Sequence, residues 1–222
     1  MDTLVVIPAY NEEKTISEVV KNLKRFGYEV LVVDDGSTDQ TAKIAKEAGA
    51  IVLRHLINLG SGAAIKTGLD FALERRTEII VTFDADGQHC PEDIIKVVQP
   101  IKSSQAEVVI GSRFKKQQKI PLARRLMNWL ANLITLFLFG LWVSDSQSGF
   151  KAFSRKALEE IEIKARKFDW SSEIVAELKS KKIKFLEVPI GVKYSDYSLS
   201  KGQNFFVGLK TFFRLLLKKL IS

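Results

Sequence analysis

An α/β fold, with a mostly parallel sheet flanked by helices, follows from three observations on this chain of 222 residues. Apolar runs alternate with helical patterns, the connections are short, and the runs are apolar throughout instead of alternating. A strand covered on both faces has that continuous apolar character. Repeated strand–helix units wind into a parallel sheet by right-handed crossovers.

The first strand is Thr3–Ala9, nearly all apolar. Ile16, Val19, Val20 and Leu23 then share one helix face, with Asn11 expected as N-cap and Gly27 at the end. A strand at 30–33 runs into Asp34-Asp35-Gly36-Ser37, and a helix at 41–48 stops at Gly49. A strand at 50–54, a helix from Gly60 to about Arg76 and a strand at 79–83 follow. Pro91 suits the first turn of a helix reaching Ile101, and 107–110 is a further strand.

Ligands of such sheets bind beyond the carboxyl ends of the strands, and polar clusters stand at those ends. They are Tyr10-Asn11-Glu12, Asp34-Asp35 and Asp84-Ala85-Asp86-Gly-Gln88. Two carboxylates one residue apart at a strand end make a hard-oxygen site for Mg2+ or Mn2+, with positions left for phosphate oxygens. No Gly-x-Gly-x-x-Gly follows the first strand and no Gly-Lys-Ser/Thr occurs, which disfavours a dinucleotide enzyme or P-loop ATPase.

Composition suits one globular domain, with 46% hydrophobic and 27% charged residues. Residues 1–110 hold 12 Lys/Arg against 17 Asp/Glu (net −5), and residues 111–222 hold 22 against 9 (net +13). A basic half joined to an acidic, metal-suited half points to an anionic surface or substrate. The single Cys90 excludes an internal disulfide and, with no leader pattern at the start, predicts a cytosolic setting.

Five motifs carry a resemblance: Pro8-Ala-Tyr10-Asn11-Glu12, Val33-Asp34-Asp35-Gly36-Ser37-Thr38-Asp39, Asn58-Leu-Gly60, Asp84-Ala85-Asp86-Gly-Gln88 and Gly111-Ser-Arg113-Phe. Together they resemble glycosyltransferase family 2. Asp145-Ser-Gln-Ser-Gly-Phe-Lys151 narrows this to enzymes similar to the dolichyl- and polyprenyl-phosphate sugar synthases. The resemblance implies a GT-A fold, a nucleotide-sugar donor (GDP-mannose or a UDP-sugar), Mg2+ or Mn2+, and inversion at the anomeric carbon. It implies that Pro8, Tyr10, Glu12, Val33 and Asp35 contact the nucleoside and that Asp84 and Ala85 contact the nucleotide. Asp86 and Gln88 would ligate the metal, and Arg113 with one of Arg124 or Arg125 would hold the donor or acceptor phosphates. Asp145 would shape the sugar and acceptor site, and Lys201 lies in the late loop that closes over the phosphates. Asp86, Arg113 and Asp145 form the implied catalytic set. The domain divides into a nucleotide half (1–110), an acceptor half (111–202) and a tail (203–222).

A lipid phosphate acceptor is already anionic near neutral pH, so it needs no strong general base. Positioning and charge stabilisation are then the catalytic work. Residues 126–143 approach the length of a membrane span, yet a span would separate Asp145 from Asp86 and immerse Asn128 and Asn132. An interface helix is expected there. A second is expected in the tail, where Lys210, Arg214 and Lys218 line one face and aromatics another. This gives peripheral contact with the cytoplasmic membrane face, with a separate integral membrane partner left open. A non-lipid acceptor, such as a polysaccharide, is the alternative. Nucleic acid is disfavoured because the tail's aromatics follow a helical period and form no stacking platform on a strand.

Overall fold

The computed structural model describes residues 2–116, 118, 120–164 and 170–193, so the expected tail helix and Lys201 lie outside the described residues. Strands β1 (Thr3–Ala9), β2 (Glu29–Asp34), β3 (Ile51–Arg54) and β4 (Ile79–Thr82) form where the apolar runs stand. Their pairings with one another are all parallel, as expected. Helices α1 (Ile16–Arg25), α2 (Thr41–Glu47) and α3 (Ser61–Glu74) make the connections. After β4 comes a single 3-10 turn at Pro91–Asp93, which leads into α4 (Ile94–Lys102) and β5 (Val108–Ser112).

The rest of the chain departs from a simple parallel winding. α5 (Leu122–Phe139) precedes β6 (Lys151–Ser154), and α6 (Arg155–Glu160), α7 (Trp170–Ser180) and β7 (Phe185–Pro189) follow. The sheet order is β3-β2-β1-β4-β6-β5-β7, with β6 antiparallel to both β4 and β5. One reversed strand therefore sits inside the sheet.

Strand alternation divides the core into two layers. Val5, Ile7 and Ala9 of β1 face Val19, Val20 and Leu23 of α1 and Val97 and Val98 of α4. Leu4 and Val6 face Ile65 and Leu69 of α3, together with Trp170, Ile174 and Leu178 of α7. Burial of each such side chain contributes roughly 1.5–3 kcal/mol, which is why these runs select strands covered on both sides.

Two expectations need correction. Asn11 is not the N-cap of α1: it adopts φ 54°, and the helix begins five residues later after Thr15, which makes no side-chain cap. Asn tolerates that left-handed backbone, and its Oδ1 accepts from the Thr38 backbone N–H at 2.9 Å. The apolar helix spans Leu122–Phe139, not 126–143, because Gly140 takes φ 66° and ends it. Arg124 and Arg125 thus lie within its first turn.

α5 is mostly polar on its inner side, with Leu138 the apolar exception among its described buried residues, and apolar on its outer side. Asn128, Asn132 and Thr135 are buried, whereas Leu122, Leu126, Trp129, Leu133 and Phe137 are exposed, Phe137 at 80%. Among the described residues, no helix is long and apolar enough to cross a membrane.

α3 lies so close to β1 that a Cβ on Gly68 would come within 2.2 Å of Val6 Cγ1. Ala favours a helix over Gly by about 1 kcal/mol, but overpacking a buried strand costs about 1–3 kcal/mol. Gly68→Ala should therefore lower stability by about 1 kcal/mol in urea unfolding, and an unchanged or raised midpoint would contradict this packing.

Candidate active site

The carboxyl ends of β1 and β2 are tied together first. The Asn11 backbone N–H donates to Ser37 Oγ at 2.9 Å, and that of Glu12 donates to Thr41 Oγ1 at 2.8 Å. Glu12 Oε2 accepts from Thr15 Oγ1, while Tyr10 stands exposed beside it and Val33 is buried in register with Pro8. Asp35 is buried and accepts from the backbone N–H groups of Leu59 (3.0 Å) and Gly60 (2.8 Å), with His55 Nδ1 at 2.7 Å. Its carboxylate thus fixes the turn before α3.

The acidic loop follows β4. Asp86 accepts from the Gln88 backbone N–H at 3.0 Å and from the Gln88 amide. Gln88 Oε1 lies 3.4 Å from an Arg124 nitrogen, so of the two arginines Arg124 is the one that reaches this loop. Arg125 is exposed. Asp84 Oδ2 lies 3.0 Å from His89 Nε2. Ala85 is buried between the two acids.

The reversed strand brings a second motif to this loop. Thr82 Oγ1 donates to the Gly149 carbonyl at 2.6 Å, and a Cβ on Gly149 would stand 2.3 Å from Asp84 Oδ1. Only glycine lets the 145–150 segment lie against that carboxylate. Asp145, fully buried, takes a fork from Arg113: Nε to Oδ2 and one terminal nitrogen to Oδ1, both at 2.7 Å. The Arg113 backbone N–H adds a third bond at 3.0 Å. Arg113 and Asp145 were expected to act on phosphate and sugar separately; the structure joins them as one unit.

Ser144 anchors this unit to the rest of the chain. Its carbonyl accepts from Asn128 and Asn132 of α5 at 2.9 and 2.8 Å, and its N–H and hydroxyl both reach Glu187 Oε1 at 2.7 Å. Lys151 is fully buried, donates to the Ser148 carbonyl and to Ser171 Oγ, and lies 4.7 Å from the centre of the Trp170 ring. Sequence reasoning assigned no role to His89, Lys151, Ser144 or Glu187. The lysine inside an otherwise apolar Gly-Phe-Lys-Ala-Phe run was the one available signal.

The two acids of the loop are driven apart. Burial raises the Asp84 pKa, but the His89 hydrogen bond and the charges of Arg113 and Lys151 reverse this and leave it below the usual value. Burial raises that of Asp86, and the charges of Asp84 and Glu12 add to the rise against the Gln88 backbone bond. A cation beside such carboxylates favours the ionised form of both. Among the described residues, no three His, Cys, Asp or Glu side chains converge to hold a metal alone. Asp86 and the Gln88 amide oxygen offer a partial, all-oxygen set, which fits Mg2+ or Mn2+ completed by substrate phosphates.

An open α/β sheet with an acidic loop and a buried Arg–carboxylate unit beyond its carboxyl edge has the layout of the GT-A fold, in a sheet type that binds its ligands at that edge. Residues 4–162 match the family model of glycosyl transferase family 2, and the chain belongs to that family. It is 41% identical to the UDP-N-acetylglucosamine--dolichyl-phosphate N-acetylglucosaminyltransferase of Methanococcus voltae, over 97% of this chain and 95% of that protein. It is 31% identical to a dolichol-phosphate mannosyltransferase of Pyrococcus furiosus, over 97% of this chain and 64% of that one. Its fold matches glucosyl-3-phosphoglycerate synthase of Mycobacterium tuberculosis, solved with Mn2+, UDP and phosphoglyceric acid, at a TM-score of 0.73 and 21% identity. That alignment covers 98% of this chain and 78% of that one.

Burial pulls the Lys151 pKa down from 10.5 to about 7, with Asp145 and Asp84 opposing and Arg113 adding to the fall. Between pH 7 and 10.5 the unfolded chain therefore binds more protons at this site than the folded one, and the contribution to stability rises with pH. One proton corresponds to about 1.4 kcal/mol per pH unit. Lys151→Met removes this dependence, so wild type should gain on the variant as urea unfolding is moved from pH 7 to pH 10. A constant gap between the two proteins would contradict it.

Proposed function

We propose that this chain is an inverting, divalent-cation-dependent glycosyltransferase that moves a sugar from a nucleotide donor to a polyprenyl or dolichyl phosphate. It works at the cytoplasmic face of the membrane as a peripheral protein, and UDP-N-acetylglucosamine is the first donor to test. The observation that carries the reading is a single helix, α5. Its first turn presents Arg124 to the acidic loop, its inner face holds the Asp145 segment, and its outer face is apolar. The choice of donor is supported by the near full-length similarity to the Methanococcus voltae enzyme.

The residues divide the work. Glu12, Tyr10 and the Asp35-fixed turn form the nucleoside end, and Asp84 borders the nucleotide. Asp86 and Gln88 would hold a divalent cation, whose positive charge would offset that of the departing diphosphate. Arg124 orients phosphate oxygens, since a guanidinium matches them in a planar, bidentate way, and Arg113, with its Nε and one terminal nitrogen held by Asp145, adds positive charge beside them. Asp145 keeps Arg113 in one orientation, so little reorganisation is needed as the bond to the leaving group breaks. The acceptor phosphate attacks directly, and one displacement inverts the anomeric centre.

Purified protein should be incubated with polyprenyl phosphate in vesicles, Mn2+ or Mg2+, and radiolabelled UDP-GlcNAc, UDP-glucose or GDP-mannose. Label should enter the lipid phase, and Asp86→Asn should reduce transfer by about 100-fold or more. Label passing to a water-soluble sugar would move the reading to a non-lipid acceptor. Replacing Trp129 and Phe137 together by Glu should weaken co-sedimentation with anionic vesicles by about tenfold or more without lowering the melting temperature. Unchanged co-sedimentation would remove α5 from the membrane contact.

A further inference from the structure

Next to the acidic loop stands a histidine that the proposed chemistry does not use. His89 is buried, its side chain 3% exposed, beside an Asp84 side chain that is 42% exposed. Its ring packs at an angle against Phe83 (5.5 Å between centres) and Phe150 (5.1 Å), and those two rings touch each other at 5.2 Å. Its backbone forms an antiparallel bridge with Val192. Ring and backbone are thus both fixed.

The two ring nitrogens differ sharply. Nε2 meets Asp84 Oδ2 at 3.0 Å, whereas Nδ1 is buried and makes no hydrogen bond among the described residues. Because an ionised carboxylate only accepts, the contact is a hydrogen bond only when Nε2 carries the proton. A proton on Nδ1 would bury an unpaired donor, the costlier arrangement. Nor is His89 suited to ligate a metal, since one nitrogen is taken and the other is buried. The same carboxylate lies against Gly149, where a Cβ would come within 2.3 Å of Asp84 Oδ1.

We propose that His89 is a positioning residue: its Nε2–H holds the Asp84 carboxylate in one rotation against Gly149, setting it for the nucleotide of the donor. The inference rests on the proposed function. A carboxylate turns easily about its last torsion, so a lone acid at the mouth of a pocket would spread over orientations. A buried aromatic clamp on the histidine removes that freedom. Groups that orient a ligating or binding carboxylate in this way are worth about 10–100-fold in affinity when lost.

Two variants separate the hydrogen bond from the packing. His89→Phe keeps an aromatic ring and removes the donor, whereas His89→Gln keeps an N–H donor near the Nε2 position. Calorimetric titration of each full chain with UDP-GlcNAc and GDP-mannose in Mn2+ should show His89→Phe weakened by about tenfold or more. His89→Gln should stay within about threefold of wild type, and the two melting temperatures should be alike. Equal binding by all three proteins, or His89→Gln as weak as His89→Phe, would overturn the proposal. Nitrogen NMR of the wild-type imidazole decides the tautomer without any donor: a protonated Nε2 and a bare Nδ1 are expected, and the reverse would overturn the inference. Wild type that binds no sugar nucleotide while showing the expected tautomer would instead remove the functional reading, and the positioning role with it.

Discussion

The site depends on the backbone register of one reversed strand. β6 pairs with β4 so that Lys151 stands opposite Thr82, and the Thr82 hydroxyl bridges the two strands, donating to the Gly149 carbonyl and accepting from the Lys151 N–H. That register sets Gly149 against Asp84 and leaves Asp145 within reach of Arg113 at the end of β5. Sliding β6 by one residue would turn Lys151 and Phe153 to the opposite face and break both contacts at once. The first four strands are joined by parallel winding, but the Arg113–Asp145 unit is brought to the acidic loop by this antiparallel insertion.

The register also concentrates charge in the interior. Asp145 and Lys151 are fully buried, and Arg113 is largely so. Removing such groups from water costs several kcal/mol for each ion, and pairing them seldom repays more than that. Stability alone does not explain the cluster. Every member is engaged: the Arg113 fork fills Asp145, Ser148 and Ser171 accept from Lys151, and Trp170 lies beside the ammonium. A fully paired network of this kind is rigid, and rigidity is what transition-state charge stabilisation requires.

The first four strands and the polar clusters at their ends were legible because the signals are local. An apolar run marks a buried strand wherever its partners lie. The reversed strand was not legible: in Lys-Ala-Phe-Ser a buried lysine breaks the apolar run, and only tertiary pairing explains its burial. Asn11 was misread because a cap and a left-handed turn use the same short amide. Which of Arg124 and Arg125 serves the loop depends on the rotation of α5, and that is fixed by buried contacts far along the chain. His89 gave no signal because a lone histidine beside two acids also describes a solvated loop. Its meaning comes from Phe83 and Phe150, which meet it only once β4 and β6 have paired.

α5 shows why the site and the surface cannot be separated. In an ordinary surface helix the apolar stripe faces the core and the polar side faces water. Here the inner side is committed to the site: Asn128 and Asn132 amides donate to Ser144, and Asn132 Oδ1 accepts from the Ser146 N–H, which brackets Asp145. With polar groups required inside, Leu126, Trp129, Leu133 and Phe137 are left outside. Making the outer face polar would cost the site nothing, so the demands of folding do not account for its apolar character. An apolar stripe exposed in this way calls for a non-aqueous neighbour, and it starts two residues before Arg124, whose guanidinium faces the acidic loop. Under the proposed function, a bilayer surface carrying the acceptor would satisfy both sides of the helix, with the stripe in lipid and the phosphate beside the arginine. The same 18 residues hold the Asp145 segment with one face and present the apolar stripe with the other.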